Sequence, residues 1–168
     1  YQMPSIYESL FRVGATMGLI DFGGYAFNSM RMEKMYRAWG NEFTEEISGV
    51  EAGMERFIDT DRDFIGKENI LHRCSQGVDI QLAYLAFDDD IACECFGNEA
   101  VYHSGELVGL TTGGAYGHRV GRSLAFAYLK PALVAQDVQL QVLTTSGMRN
   151  CHVEVDALYD PKNERLRG

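Results

Sequence analysis

Apolar positions follow a helical rhythm in the N-terminal part of the chain and a two-residue rhythm in the C-terminal part. Ile6, Tyr7, Leu10, Phe11 and Val13 fall near helical spacing within Met3–Gly18, where Pro4-Ser5 can open a helix and Gly18 can close it. In Gly23–Gly40, Met30, Met32, Met35 and Tyr36 are interleaved with Arg31, Glu33, Lys34 and Arg37. This spacing predicts an amphipathic helix with a methionine-rich buried face. Asn28 and Ser29 are suited to cap its start and Gly40 its end. Trp39, the only tryptophan, follows that helix and is expected to be buried, so that Trp39→Ala would destabilise the fold. Two helices so close in sequence are expected to pack on each other or on a common sheet.

Asn41–Ser48, with Glu42, Glu45 and Glu46, predicts a solvated acidic loop. Met54–Asp59 predicts a strand, Thr60–Asp63 a polar turn, and Phe64 to about Cys74 a further helix. From Gly77 the texture changes. Strands are expected near Gln81–Phe87, Glu99–His103, Leu107–Thr112, Ser123–Tyr128, Val138–Leu143 and Cys151–Val155, with turn residues at Gly97-Asn98, His103–Gly105 and Thr145–Gly147. Evenly spaced short strands favour a small closed sheet. The fold class is therefore α+β, with a unit boundary near Ser75–Gly77.

Composition narrows the function. The 168 residues carry a formal net charge of −9, which argues against nucleic acid or an anionic membrane surface as the main partner. No apolar run approaches the ~20 residues of a membrane span. The four cysteines, Cys74, Cys93, Cys95 and Cys151, match no familiar zinc module and are expected to be buried or bystander thiols. Cys93 and Cys95 would share one face of a strand. No G-x-G-x-x-G follows a strand. Gly113–Arg119 is glycine-rich but lacks the Gly-Lys-Ser/Thr ending of a phosphate loop, and is expected to be a turn between strands. Asp88–Asp90 is expected to be a solvated turn, and no nucleophile elbow surrounds any serine.

Residue order is more specific than periodicity. Asn28–Gly40, NSMRMEKMYRAWG, resembles a block of dimethylglycine and sarcosine dehydrogenases, whose tetrahydrofolate-binding portion is related to the aminomethyltransferase (T-protein) of the glycine cleavage system. Gly49–Met54 followed by Asp63–Glu68, Gly109–His118, and Leu158–Pro161 with Glu164–Gly168 resemble three further blocks of that family, in the family's order.

The resemblance implies the remainder of a mixed α/β folate-binding domain over residues 1–76, followed by a small antiparallel β-barrel domain over residues 77–168. It implies that the chain is the C-terminal piece of a longer polypeptide whose N-terminal flavin (FAD) and folate domains are its partners. Such enzymes oxidise an N-methyl amine on the flavin and pass the one-carbon unit to tetrahydrofolate. The family's catalytic aspartate and pterin-contacting Tyr and Glu lie in blocks this chain does not contain, so no catalytic residue is assigned here. Where aminomethyltransferases place a ligand-contacting arginine, this chain has Phe27. Tyr25, Asn28, Arg31, Tyr116 and His118 remain as candidates for a partial tetrahydrofolate site, while Glu33 pairs equally well with Arg37 along the helix. Cytoplasm in a bacterium, or mitochondrial matrix in a eukaryote, is the implied compartment. The alternatives are a non-catalytic regulatory or interaction module with the same fold, and a fragment of a stand-alone aminomethyltransferase.

Overall fold

A computed structural model describes residues 2–93 and 95–168. The helical part contains α1 (Met3–Gly14), α2 (Gly24–Glu33) and α3 (Lys67–Gln76), and a short helix α4 (Glu164–Arg167) lies near the C-terminus. Between α3 and α4 run six strands: β1 (Gln81–Phe87), β2 (Ala100–His103), β3 (Glu106–Gly117), β4 (Arg122–Leu129), β5 (Gln139–Thr144) and β6 (Gly147–Glu154). They close into an antiparallel barrel in the order β1-β4-β3-β2-β5-β6. Closure leaves no unpaired sheet edge, which suits strands this short. No helix among the described residues is long and apolar enough to cross a membrane.

Two apolar layers share β1 and β4. Ala83, Leu85 and Phe87 face the barrel interior with Ala125, Ala127, Val142 and Val153. The alternate residues Leu82, Tyr84 and Ala86 join Leu124, Phe126 and the α2 residue Met32 in a second cluster outside the barrel. Burial on both faces explains why Leu82–Phe87 reads as an unbroken apolar run rather than an alternating one.

Several local expectations are corrected. Helix α2 starts after Gly23, so Asn28 and Ser29 lie within it rather than capping it. Their side chains instead donate to β3 carbonyls, Asn28 Nδ2 to Gly114 O at 2.9 Å and Ser29 Oγ to Tyr116 O at 2.7 Å. The helix ends at Glu33, well before Gly40. Its terminal Glu33 carbonyl accepts the Tyr159 N–H, Lys34 Nζ donates to Asp160, and Met35 turns to φ +57°. Trp39 therefore lies beyond the helix and is 76% exposed, not buried. Glu33 is not a partner of Arg37: its carboxylate accepts the Arg119 backbone N–H, and Arg37 donates to the carbonyls of Ala52 and Met35.

Helix α1 matches its expected start, and Gly18 closes the following turn at φ +74°. Its apolar residues Ile6, Tyr7, Leu10 and Val13 stay exposed, so the two first helices do not bury a shared face. Glu55–Phe57 forms a single 3-10 turn where a strand was expected. Gly113–Gly117 continues β3 in register with Phe126–Arg122, so the turn falls later, after Gly117. Asp88 and Asp89 are engaged rather than freely solvated: Asp88 meets His152 Nδ1 at 2.6 Å, and Arg149 grips Asp89 through Nε at 2.8 Å and through Nη2.

His152 on β6 lies between Asp88 and Glu154, with Nε2 3.1 Å from the latter. Burial opposes its protonation, but the two carboxylates prevail and raise its pKa above the ordinary value. A raised folded pKa means stabilisation that is fully present below the unfolded value of ~6.5 and is lost as pH rises through the folded one. The stability difference between wild type and His152→Gln, measured by urea unfolding, is expected to shrink from pH ~5.5 to pH ~8.5. A difference that stays constant over that range would exclude the ion-paired imidazolium.

Candidate functional site

A cavity of about 230 Å³ opens between α2 and β3. Tyr25, Asn28, Ser29 and Arg31 line it from α2, Gly113–Tyr116 from β3, and His118 from the turn that follows. Asn41 and the Cys95-Phe96 stretch complete the wall. All five residues singled out in the sequence are thus brought to one place. Phe27 is not among the lining residues, and its side chain is 55% exposed.

The five play different parts. Asn28 is committed at both ends, because its amide donates to Gly114 and its Oδ1 accepts Arg31 Nε at 2.8 Å. Arg31 is 6% exposed, and its Nη1 donates to Glu42 Oε2 at 2.8 Å and to the Tyr36 carbonyl at 3.1 Å. Its Nη2 is buried and has no hydrogen-bond partner among the described residues. Tyr25 is open to solvent at the mouth. Tyr116 and His118 stand edge to face, with ring centroids 5.2 Å apart. Two residues therefore build the site, while three aromatic rings are left to meet a ligand.

Glu42 lies behind the cavity, and the acidic-loop reading is wrong for it. It is 0% exposed and accepts from Arg31, the Ala38 N–H at 2.8 Å and Thr112 Oγ1 at 2.8 Å, while its own carbonyl accepts Tyr128 O–H at 2.7 Å. A buried carboxylate is tolerated because every oxygen is paired. Burial and the nearby Glu42 charge push the Tyr128 phenol well above its ordinary range, so it remains a neutral donor.

Sequence reasoning did not find Asn41, Cys95 or Phe96 as lining residues. They reach the cavity from the irregular connections that follow α2 and precede β2, and no spacing signal marks them. The arrangement is suited to hold a flat ring among aromatic side chains and to offer one buried guanidinium N–H to an acceptor. Its volume is below the ~300–1,000 Å³ of pockets that enclose a whole drug-sized ligand.

Comparison with known proteins identifies the family. The GCVT N-terminal domain family matches residues 1–62, and the Glycine cleavage T-protein C-terminal barrel domain family matches residues 81–160. Mitochondrial dimethylglycine dehydrogenase of Mus musculus is 36% identical over 97% of this chain and 19% of its own length. The formaldehyde-forming 4-methylaminobutanoate oxidase of Paenarthrobacter nicotinovorans is 32% identical over 98% of this chain and 20% of its own length. The chain thus spans about a fifth of the length of these relatives. The crystal structure of the glycine cleavage system aminomethyltransferase T from Bartonella henselae superposes with a TM-score of 0.73 at 16% identity, covering 81% of this chain and 38% of that one. The chain belongs to the glycine cleavage T-protein family, and it corresponds to the aminomethyltransferase-related region shared with dimethylglycine dehydrogenases.

Proposed function

We propose that this chain supplies one wall of a tetrahydrofolate site in an FAD-dependent N-methyl amine dehydrogenase of the dimethylglycine or sarcosine type. The observation that carries the reading is the convergence of Tyr25, Asn28, Arg31, Tyr116 and His118 on one cavity with a free buried guanidinium nitrogen. Tetrahydrofolate fits these residues: its pterin is flat, suited to the Tyr25 and Tyr116 rings, and carries edge acceptors for Arg31 Nη2. When bound, tetrahydrofolate accepts the one-carbon unit released by amine oxidation. This chain's residues would bind and orient the ring, with Asn28 and Arg31 holding the wall rigid and the aromatic rim excluding water. The proton-transferring groups and the FAD would lie in other domains of the same polypeptide, whose packing would cover the exposed apolar face of α1. Residues 1–76 and 77–168 form the two units of this reading. Its compartment is the mitochondrial matrix in a eukaryote and the cytoplasm in a bacterium.

Calorimetric titration with a stable folate analogue tests the proposal. Weak, saturable binding is expected from the chain by itself, with a Kd above roughly 1 μM. Tyr116→Ala should weaken it by roughly three- to tenfold through lost ring stacking. Absence of saturable binding, or binding indifferent to Tyr116→Ala, would reject the site.

A further inference from the structure

The last residue of α2 carries a charge that its surroundings do not neutralise. Glu33 is 3% exposed, yet no cationic side chain pairs with it among the described residues. It also stands at the C-terminal end of a helix, where the helix dipole disfavours a carboxylate. A buried carboxylate persists only where donors take the place of water. The donor here is backbone: Glu33 Oε1 accepts the Arg119 N–H at 2.5 Å, in the turn between β3 and β4. The side chain lies close against that turn, because a Cβ on Gly117 would be 3.0 Å from Glu33 Cγ. The turn itself is closed by the Gly121 N–H, which donates to the Gly117 carbonyl at 2.8 Å. Val120 packs it onto the apolar cluster that contains Met32.

This turn carries one side of the cavity. His118 immediately precedes Arg119, and its ring makes no hydrogen bond among the described residues and stands against Tyr116. Its place at the rim is therefore set by its backbone, and Glu33 holds the next N–H. Glu33 does not itself line the cavity. Its main chain is fixed from the opposite side. The Glu33 carbonyl accepts the Tyr159 N–H at 3.1 Å, and Lys34 Nζ donates to Asp160 O at 2.6 Å and to Asp160 Oδ2 at 2.9 Å. Tyr36 O–H donates to Asn163 Oδ1 at 3.1 Å, and Leu158 packs on the same cluster as Met32 and Val120.

We propose that Glu33 is a positioning residue for the cavity, and that residues 158–163 form a strap that acts through it. The strap fixes the end of α2, Glu33 passes that constraint to the Arg119 N–H, and the turn keeps His118 edge to face with Tyr116. That arrangement of rings is what a flat ligand would meet. The carboxylate is suited to this part because it is an acceptor only, so it can take a turn N–H without competing for carbonyls. The inference rests on the folate reading for its binding measurement alone, since the position of the rim can be followed without a ligand.

The test compares Glu33→Ala, Glu33→Gln and Lys34→Met with wild type by two measurements. The first is NMR of the histidine ring protons at one fixed pH, with the His118 signals assigned from the spectrum of His118→Gln. Glu33→Ala and Lys34→Met should displace the His118 signals, while those of His72 on α3 and His103 on β2 stay in place. The second is calorimetric titration with the stable folate analogue. Both variants should weaken binding by roughly three- to tenfold, although neither residue lines the cavity. Glu33→Gln keeps an oxygen for the Arg119 N–H, so it should leave the His118 signals near their wild-type positions and the affinity within about twofold. A role in stability alone would give no such rescue of the rim. Should Glu33→Ala not fold, Lys34→Met decides, since it loosens the strap and leaves the carboxylate in place. If wild type shows no saturable binding, the folate reading fails, and the His118 signals still decide the positioning role. His118 signals unmoved in the folded variants, or a Glu33→Gln that loses as much as Glu33→Ala, would overturn the proposal.

Discussion

Glu42→Ala is expected to cost about 3–5 kcal/mol, enough to leave the protein largely unfolded or close to it. The carboxylate is fully buried and neutralises Arg31, whose side chain is 5% exposed. Truncation leaves an almost fully buried guanidinium charge without its carboxylate partner. It also orphans the Ala38 N–H and the Thr112 hydroxyl, each an unpaired donor in a part-buried setting. Arg31→Met combined with Glu42→Gln removes both charges, keeps one amide oxygen to accept the Ala38 N–H, and leaves the Thr112 hydroxyl able to accept from the amide NH2, so it should be less destabilised than Glu42→Ala alone. Urea unfolding of the two variants is the measurement. A loss under about 1 kcal/mol for Glu42→Ala would mean the pair behaves like a surface salt bridge.

Phe126→Ala is expected to cost a similar amount, about 3–5 kcal/mol. The ring is 0% exposed and packs 5.4 Å from Tyr84, and the Arg37 guanidinium lies 5.8 Å above its centroid. Because Phe126 sits in the cluster that joins Met32 to β1 and β4, its removal loosens the seating of α2 as well as opening a cavity. Trp39→Ala is the contrast. The exposed indole of Trp39 predicts a change within about 0.5 kcal/mol, the ordinary range for surface positions. Chemical denaturation of both variants separates the two cases, and equal effects would show that exposure misjudges one of them.

The barrel was legible in the sequence because strand patterning is local. Each of the six expected strands overlaps an observed one, and Gln81–Phe87 coincides with β1. Turn chemistry served equally well at Ser104-Gly105, where both residues adopt positive φ between β2 and β3. The family was legible because four blocks of residues stand in one order. Those blocks also carried four of the five cavity residues, Asn28, Arg31, Tyr116 and His118, although nothing in their spacing says that α2 and β3 line one cavity.

The misjudged residues share a cause. Glu42 lies in an acidic, loop-like stretch, and local composition assigns such a residue to water. Its burial depends on Arg31, Ala38 and Thr112 converging on it from separate elements. Asn28 and Ser29 have the chemistry of helix caps, but β3 offers carbonyls within reach of the helix face, and those bonds replace the cap. The end of α2, and with it the exposure of Trp39, is decided by Tyr159 and Asp160, which reach Glu33 and Lys34 from the far end of the chain. Periodicity and turn chemistry act within a few residues and so could be read from the sequence alone. Charge pairing and helix termination here are settled by partners up to 126 residues away, which only the folded chain brings together.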